Sequence, residues 1–248
     1  MAEMVADILR ERIVSGTLAK GDKLPRQEDL LAEFNVSKPS MREALRILET
    51  EGLVSVQRGK LGGAVVHAPQ SHDAAYMLAL VLQAKQVPID DVGAALQNLE
   101  PVCAGLCAER TDRRAVVREL RRVHEASVAA MGDDVAFARE LRRFHAAVVA
   151  SCGNDTVKTV VGSLEDLWSA KETVAIEADG TRSAAVRRAQ RDSSLKSHAQ
   201  IIALIEKGDA AGVNRAWNRH DCVIQQRHRS GGSTEMIMAT LLRQGRAR

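Results

Sequence analysis

Residues 24–66 read LPRQEDLLAEFNVSKPSMREALRILETEGLVSVQRGKLGGAVV, and this run decides the plan of the N-terminal end. It predicts a short amphipathic helix from Gln27 to Phe34, a tight turn at Asn35 and Val36, and a longer helix that starts behind Ser37. Gly52 follows, then two short β-branched runs, Leu53 to Gln57 and Ala64 to His67, joined by the basic, glycine-rich tip Arg58-Gly59-Lys60-Leu61-Gly62-Gly63. Helix, turn, helix and a hairpin with a cationic tip make a winged helix-turn-helix. Ser37 is a good N-cap, because its hydroxyl can accept from an otherwise unpaired first-turn amide, and Pro39 is tolerated where amides have no intrahelical partner. Met41, Ala44, Leu45 and Leu48 recur at helical spacing as a buried stripe. Lys38, Arg42 and Arg46 lie along another face, with Ser40 at the same N-terminal end. In such a motif the start of the second helix enters the major groove, so these cations are placed to reach phosphates and base edges.

Working outward, Ala2 to Ser15 reads as a first helix with Val5, Ile8, Leu9 and Ile13 on one face, packing behind the second helix of the motif. Ala68 to His72 is a short polar linker. From Asp73 the chain changes to long alanine-, leucine- and arginine-rich periodic segments, with helices expected over 73–85, 89–109, 113–131, 135–151, 155–178, 183–207 and 209–229. Asn154 and Asp209 are the expected caps. The fold class is therefore mainly α. A winged helix-turn-helix spans 1–67, a linker 68–72, and an antiparallel all-α bundle 73–230. A polar, then apolar, then basic tail spans 231–248.

The 248 residues carry a net charge of only +3, so any nucleic-acid surface is local. Aromatic residues are 2% of the chain, too few for base-stacking platforms, which disfavours single-stranded nucleic acid. No apolar run approaches the roughly 20 residues a membrane span needs, and no signal-peptide pattern begins at Met1. Four cysteines without a CxxC pair fit reduced thiols, so the expected location is the cytoplasm. Cys103 and Cys107, one turn apart, read as core packing rather than a redox or metal pair. Trp168 and Trp217 read as core or cavity lining. No HExxH or nucleophile motif is present, and Gly59 to Gly63 lacks the ending of a phosphate-binding loop.

The N-terminal residues resemble those of bacterial GntR-family transcription regulators. Gly16-Thr17-Leu18-Ala19-Lys20-Gly21-Asp22-Lys23-Leu24-Pro25, Val36-Ser37-Lys38, Met41-Arg42-Glu43-Ala44-Leu45, Leu48 and Gly52-Leu53 are similar to the family pattern. The resemblance implies that Ser37, Lys38, Ser40 and Arg42, with the wing tip at Arg58, Gly59 and Lys60, touch DNA. Arg46 extends that line. After Leu-Pro the family usually has Ser-Glu-Arg, with the arginine reading a base. Here Arg26-Gln27-Glu28 stands there, so the helix loses its serine cap, Glu28 holds the base-reading position and Arg26 supplies a nearby cation. Lys38 in place of arginine weakens bidentate guanine reading.

The C-terminal part resembles the FCD ligand-binding domain of the FadR-type branch, at Leu99-Glu100-Pro101, Phe144-His145, Cys152-Gly153-Asn154, His198 with Ile201, and Gly208-Asp209 leading to His220. That resemblance implies a divalent metal (zinc, nickel or manganese) held by an aspartate and three histidines, with an organic-acid effector beside it. The histidines correspond to His145, His198 and His220, while the aspartate position is Leu141. Glu140, next to it, points about 100° away on a regular helix. The cation that commonly greets a carboxylate is also replaced, by Leu96 and Gln97. The three histidines are therefore either metal ligands or polar residues of a cavity. Leu96, Gln97, Glu100, Leu141 and Asn154 are the expected effector contacts, and the effector is expected to be less acidic or more apolar. The implied function is a ligand-responsive regulator, usually a repressor, that binds a palindromic duplex as a homodimer. The rival is a metal-dependent enzyme built on the three histidines.

Overall fold

The computed structural model describes residues 1–57, 63–67, 69, 71–176, 184–229 and 236–237, with the backbone alone over 170–176, 184 and 221–229. The chain divides into two units, Met1–Asp73 and Ala74–Arg248.

In the first unit α1 (Ala2–Val14), α2 (Gln27–Phe34) and α3 (Lys38–Thr50) precede the antiparallel hairpin of β1 (Val54–Gln57) and β2 (Gly63–Val66). The hairpin register runs from Val54 opposite Val66 to Gln57 opposite Gly63. Asn35 turns the chain between α2 and α3 at φ 50°, a left-handed conformation that asparagine adopts more readily than most residues. Ser37 caps α3, its Oγ accepting from the Ser40 amide at 3.3 Å. Val5, Leu9 and Ile13 of α1 close onto Leu30, Met41, Ala44 and Leu48, and Val54, Ala64 and Val66 of the hairpin complete this core. The Gly21–Leu24 lead-in, which sequence reading leaves as an approach loop, lies along β2: Leu24 N–H donates to Ala64 O at 2.8 Å and Val66 N–H to Asp22 O at 2.9 Å. Arg10 binds Glu51 through two bonds of 2.8 and 2.7 Å, tying α1 to the end of α3.

The second unit contains α4 (Ser71–Ala84, beginning at its boundary), α5 (Ile89–Glu109), α6 (Arg113–Ala129), a 3-10 turn (Ala130–Gly132), α7 (Asp134–Ala150), α8 (Asp155–Ile176), α9 (Ala184–Lys207) and α10 (Ala210–Arg229). The central element is α5, which packs against α7, α8, α9 and α10. It can do so because Gly93, Ala104, Gly105 and Ala108 keep its surface low and let neighbours approach. Asn154 and Asp209 cap as expected, accepting from Val157 N–H at 3.1 Å and Gly212 N–H at 2.8 Å.

Two boundaries differ from the sequence reading. Ser71 and His72, expected in the linker, are already helical; Asp73 in the first turn complements the helix dipole there. The tail is not wholly separate either, since Met236 bridges to Pro88 and Ile237 is buried in the helical core. Alternating composition gave no sign of that docking, because one isoleucine carries it.

Gly52 ends α3 at φ 77°, with its N–H on Glu49 O at 3.1 Å and Leu53 N–H on Leu48 O at 2.9 Å. These are the two bonds of a Schellman cap, and they set the direction in which the chain leaves for the hairpin. Gly52→Ala should destabilise the N-terminal unit by about 1–2 kcal/mol, because Cβ meets the carbonyl in the left-handed region. Urea denaturation of the full chain reads this out, and an unchanged midpoint would show that the turn tolerates Cβ.

Candidate nucleic-acid interface and candidate metal centre

On α3, Lys38, Arg42 and Arg46 are exposed along one face, and Arg26 is exposed at the start of α2. Among the described residues none of these four side chains forms an ion pair or hydrogen bond, whereas the arginines of α1 are engaged: Arg10 with Glu51, and Arg12 with Glu33 at 2.6 Å. Cations on the back of the motif thus neutralise acids within the unit, while those on its front are left for an outside anion. Ser37 Oγ lies 3.0 Å from Ser40 Oγ, so the two hydroxyls sit together at the end of α3 that faces a groove in this motif. Arg26 occupies the N-cap position of α2 without a side-chain cap bond, in line with the missing serine, and Glu28 is exposed in the first turn. The wing-tip residues Arg58, Gly59 and Lys60 lie outside the described residues.

In the helical unit three imidazoles converge from three helices. His145 comes from α7, His198 from α9 and His220 from α10, and one ligand nitrogen from each lies within 4.8 Å of the others. His145 Nε2 is 3.3 Å from His220 Nε2, which is 3.1 Å from His198 Nε2. Tetrahedral coordination with metal–nitrogen bonds of about 2.0–2.1 Å requires nitrogens roughly 3.3–3.4 Å apart, so the two spacings to His220 suit a single ion, with the third pair within 4.8 Å. The rings are held in that orientation from behind. Phe144 stacks on His198 with centroids 3.8 Å apart and planes 11° from parallel. Glu100 Oε2 accepts from His145 Nδ1 at 2.9 Å and from Trp217 Nε1 at 3.3 Å, which leaves the His145 Nε2 lone pair turned to its partners. A carboxylate behind a ligating histidine is the usual means of fixing tautomer and basicity. Burial first, then the neighbouring imidazoles His220, His145 and His124, hold His198 well below the usual histidine range, so it stays neutral, as a ligand must.

Leu141 contributes no donor. Glu140 does not take the aspartate's place: it binds Arg143 Nη1 at 2.9 Å and Arg139 Nε at 3.3 Å, and the helix keeps its register. Among the described residues the nitrogen set is thus three, and further positions are left for water or a ligand atom. Of the expected effector contacts, Glu100 is at the centre. Leu96 is buried one turn before it on α5, and Gln97 is half-buried beside Leu96. Asn154 is exposed and spends its oxygen as a helix cap.

Two residues around the site, Glu165 and His124, are ones that sequence reasoning passed over. Glu165 of α8 hydrogen-bonds Glu100, and burial, then that neighbour, push its carboxyl well above the usual range. Its Oε1 is shielded from solvent and has no hydrogen-bond partner among the described residues. Trp168, one turn on, lies against Gly93, where an added Cβ would meet ring atoms at 2.7 and 2.8 Å. His124 of α6 stands edge-on to His198, centroids 6.5 Å apart. Trp217, read as core or lining, is both: fully buried and bound to Glu100. Cys103 and Cys107 are fully buried free thiols pushed up to about 12 by that burial, in keeping with packing rather than redox chemistry.

Comparison with known proteins agrees with both units. Residues 1–65 match the family model "Bacterial regulatory proteins, gntR family" and residues 91–221 match the FCD domain. The HTH-type transcriptional repressor NanR of Klebsiella aerogenes is 42% identical over 60 residues, 24% of this chain and 23% of that protein; its counterpart in Cronobacter sakazakii gives the same figures. The match thus spans less than a quarter of those relatives. A solved Streptococcus agalactiae GntR structure shares the fold, with TM-score 0.68 and 19% identity over 92% of this chain and 100% of its own. With a helix-turn-helix matched at its N-terminus and an FCD domain filling more than half its length, the chain belongs to the GntR family of bacterial regulatory proteins, in its FadR-type branch.

Proposed function

We propose that the chain is a ligand-responsive transcription repressor that binds a palindromic duplex operator as a homodimer and is released when a small metabolite occupies the helical unit. The observation that carries this is the row Lys38, Arg42 and Arg46, exposed and without ion pairs among the described residues on the groove-facing helix of a winged motif. Lys38 contributes mostly phosphate affinity, and Arg42, nearer the middle of the row, has the reach and the fork to read a guanine edge. One short helix reads too few base pairs for useful specificity, so two related half-sites are needed.

The second copy has a surface to meet on α4. Its inner side buries Ala75 and Ala79, while Met77, Leu80 and Val81 are 61%, 40% and 50% exposed on the outer side. Between Ala74 and Ala84 the helix carries no charge. An interface between identical copies must be complementary to itself, and an uncharged apolar stripe satisfies that without pairing like charges. Effector binding then acts by favouring an arrangement in which the two recognition helices no longer fit successive grooves.

The three imidazoles hold a divalent ion on this reading, and a nitrogen-only set suits zinc or nickel better than manganese. Bound there, the ion supplies a Lewis-acidic position to which an effector donor atom can attach. Glu100 serves this as an orienting group. Its Oε2 is spent on His145 and Trp217, so it is not free to take a proton from a water on the Nε2 side, and the metal-dependent enzyme loses its nearest general base. No helix among the described residues is long and apolar enough to cross a membrane.

Selection of duplexes from a random pool, followed by fluorescence anisotropy, tests the central reading: a two-fold symmetric site should emerge, and recovery of no preferred sequence would overturn it. On that site Arg42→Ala should cost about 1–3 kcal/mol and relax the preference at one position per half-site; equal loss on every sequence would demote Arg42 to a phosphate contact. Met77→Asp combined with Val81→Asp should convert dimer to monomer in sedimentation equilibrium, and a retained dimer would remove α4 from the interface. Glu100→Gln should weaken zinc or nickel binding by about 10–100-fold in chelator competition, and unchanged affinity would show that Glu100 does not tune the site.

A further inference from the structure

The proton positions of the three imidazoles follow from what stands behind them. His145 donates through Nδ1 to Glu100, so its Nε2 presents a lone pair. His220 Nε2, 3.3 Å away, must then carry the proton of that contact. A ring nitrogen that donates cannot also accept, so His198 Nε2, 3.1 Å from the same atom, presents a lone pair as well. His198 is neutral and fully buried, and its one proton is therefore on Nδ1, at the edge of the ring turned away from the triad. Phe144, with its ring centre 3.8 Å away, covers one face of that ring. Nδ1 has no hydrogen-bond partner among the described residues, and a buried N–H left unmet carries its full desolvation cost.

The seam between α6 and α9 holds the complementary group. These helices run antiparallel: Arg113 Nε donates to Glu206 O at one end and Arg191 to Met131 O at the other, and His124 meets His198 between them, ring centres 6.5 Å apart. His124 Nδ1 is also shielded from solvent and without a hydrogen-bond partner among the described residues. A direct bond of about 3 Å between two ring nitrogens would hold the centres no more than roughly 5.3 Å apart, so the observed separation leaves the width of one water between the rings. The seam is apolar along Val116, Leu120 and Val123 of α6 and Ile201, Ile202 and Ile205 of α9. Just here, however, it buries two serines, Ser127 one turn after His124 and Ser194 one turn before His198. In the antiparallel register these serines fall opposite each other. Ser127 Oγ donates to Val123 O and keeps lone pairs to accept, so a water in this place has the several polar neighbours that an interior water needs.

We infer that His124 is a positioning residue for the triad: through one bridging water its Nδ1 accepts the His198 Nδ1 proton and so keeps the His198 Nε2 lone pair aimed at His145 and His220. It does from α6, for His198, what Glu100 does from α5 for His145, since the bond at one imidazole nitrogen decides the state of the other. The inference rests on the reading of the triad as a metal centre and adds to it a residue outside the ligand set on which ion affinity depends. His124 is not itself a fourth ligand, because it is not in the set whose nitrogens lie within 4.8 Å of one another.

The test uses the full-length chain with isotope-labelled histidine, the His198 signals being assigned by their loss in His198→Phe. Long-range proton–nitrogen correlation spectra tell the two imidazole tautomers apart in the metal-free chain, and chelator competition with zinc reads affinity on the same preparations. His198 should be in its Nδ1–H form. His124→Phe, which keeps a ring but has no acceptor, should move it toward the Nε2–H form and weaken zinc binding about 10–100-fold. His124→Asn, whose side-chain oxygen stands near the Nδ1 position, should keep the tautomer and hold zinc affinity within a few-fold of the unsubstituted chain; it also guards against misfolding of the first variant. An Nε2–H form in the unsubstituted chain, or a tautomer that His124→Phe leaves alone, overturns the inference. Equal weakening of zinc by both variants does the same, because it marks packing alone, and a tautomer shift without loss of zinc affinity overturns the positioning role. A chain that takes up neither zinc nor nickel while its tautomer follows His124 as stated overturns the metal reading and upholds the link between His124 and His198.

Discussion

A single buried carboxylate holds the helical unit's chemistry in register. Glu100 is 6% exposed at the middle of α5, yet it bonds to His145 on α7, Trp217 on α10 and Glu165 on α8. Four helices therefore meet through one side chain. Burying a carboxylate is costly unless its lone pairs are satisfied, and removing one partner from such a group leaves an uncompensated charge, an effect on the order of 3–5 kcal/mol. Pro101 stands directly after Glu100 inside α5 and has no amide to give the Gln97 carbonyl. The imidazole triad depends on this arrangement: without an acceptor behind it, nothing fixes which nitrogen of His145 faces His198 and His220.

The two units meet their polar demands in opposite ways. In the N-terminal unit the cations that matter are exposed, and selectivity comes from which of them lack an internal acid: Arg10 and Arg12 are tied to Glu51 and Glu33, whereas the row on α3 is not. Because net charge is only +3, this local sorting, rather than overall basicity, gives the motif its attraction for a polyanion. In the helical unit the polar groups that matter are interior and held by other interior groups, so their chemistry is a property of packing.

That difference explains what could be read in the sequence. The N-terminal plan was legible almost to the residue, since its determinants are local: Ser37 as cap, Asn35 in the turn, Gly52 at the end of α3, and the period of Met41, Ala44 and Leu48. The edge pairing of Lys23 with Val65 was not, because it joins segments far apart in sequence. In the helical unit the element boundaries were legible from Pro88, Asn154 and Gly208, and the three histidines from the family resemblance. Glu165 was not, since a glutamate on a long helix ordinarily reads as solvent-facing. A signal was nevertheless present. Val157, Val161 and Trp168 form a helical stripe on α8, and Glu165 sits in it where an apolar residue is due. Glu100 interrupts Leu96, Cys103 and Cys107 on α5 in the same way. A carboxylate in an apolar stripe marks either an error of register or a buried site, and periodicity alone does not say which. Glu140 shows the other outcome: it is buried against α7's own arginines and takes no part in the triad.

The placement of these acids also bears on how occupancy is felt elsewhere. Two linked carboxyls and three imidazoles share this interior, with His198 held neutral by its burial. These groups come from different helices: the imidazoles belong to α7, α9 and α10, the carboxyls to α5 and α8. Glu100 joins the two groups through His145. An ion at the triad would change the charge seen by Glu100 and, through it, by Glu165, so a ligand bound against either carboxyl would be felt at the triad. Coupling of this kind is reciprocal, so each occupant alters affinity for the other by the same factor. Either can shift the chain between arrangements only by the difference in its affinity for them. Glu100, bonded to the triad on one side and to α8 on the other, is the side chain through which such occupants would act on one another.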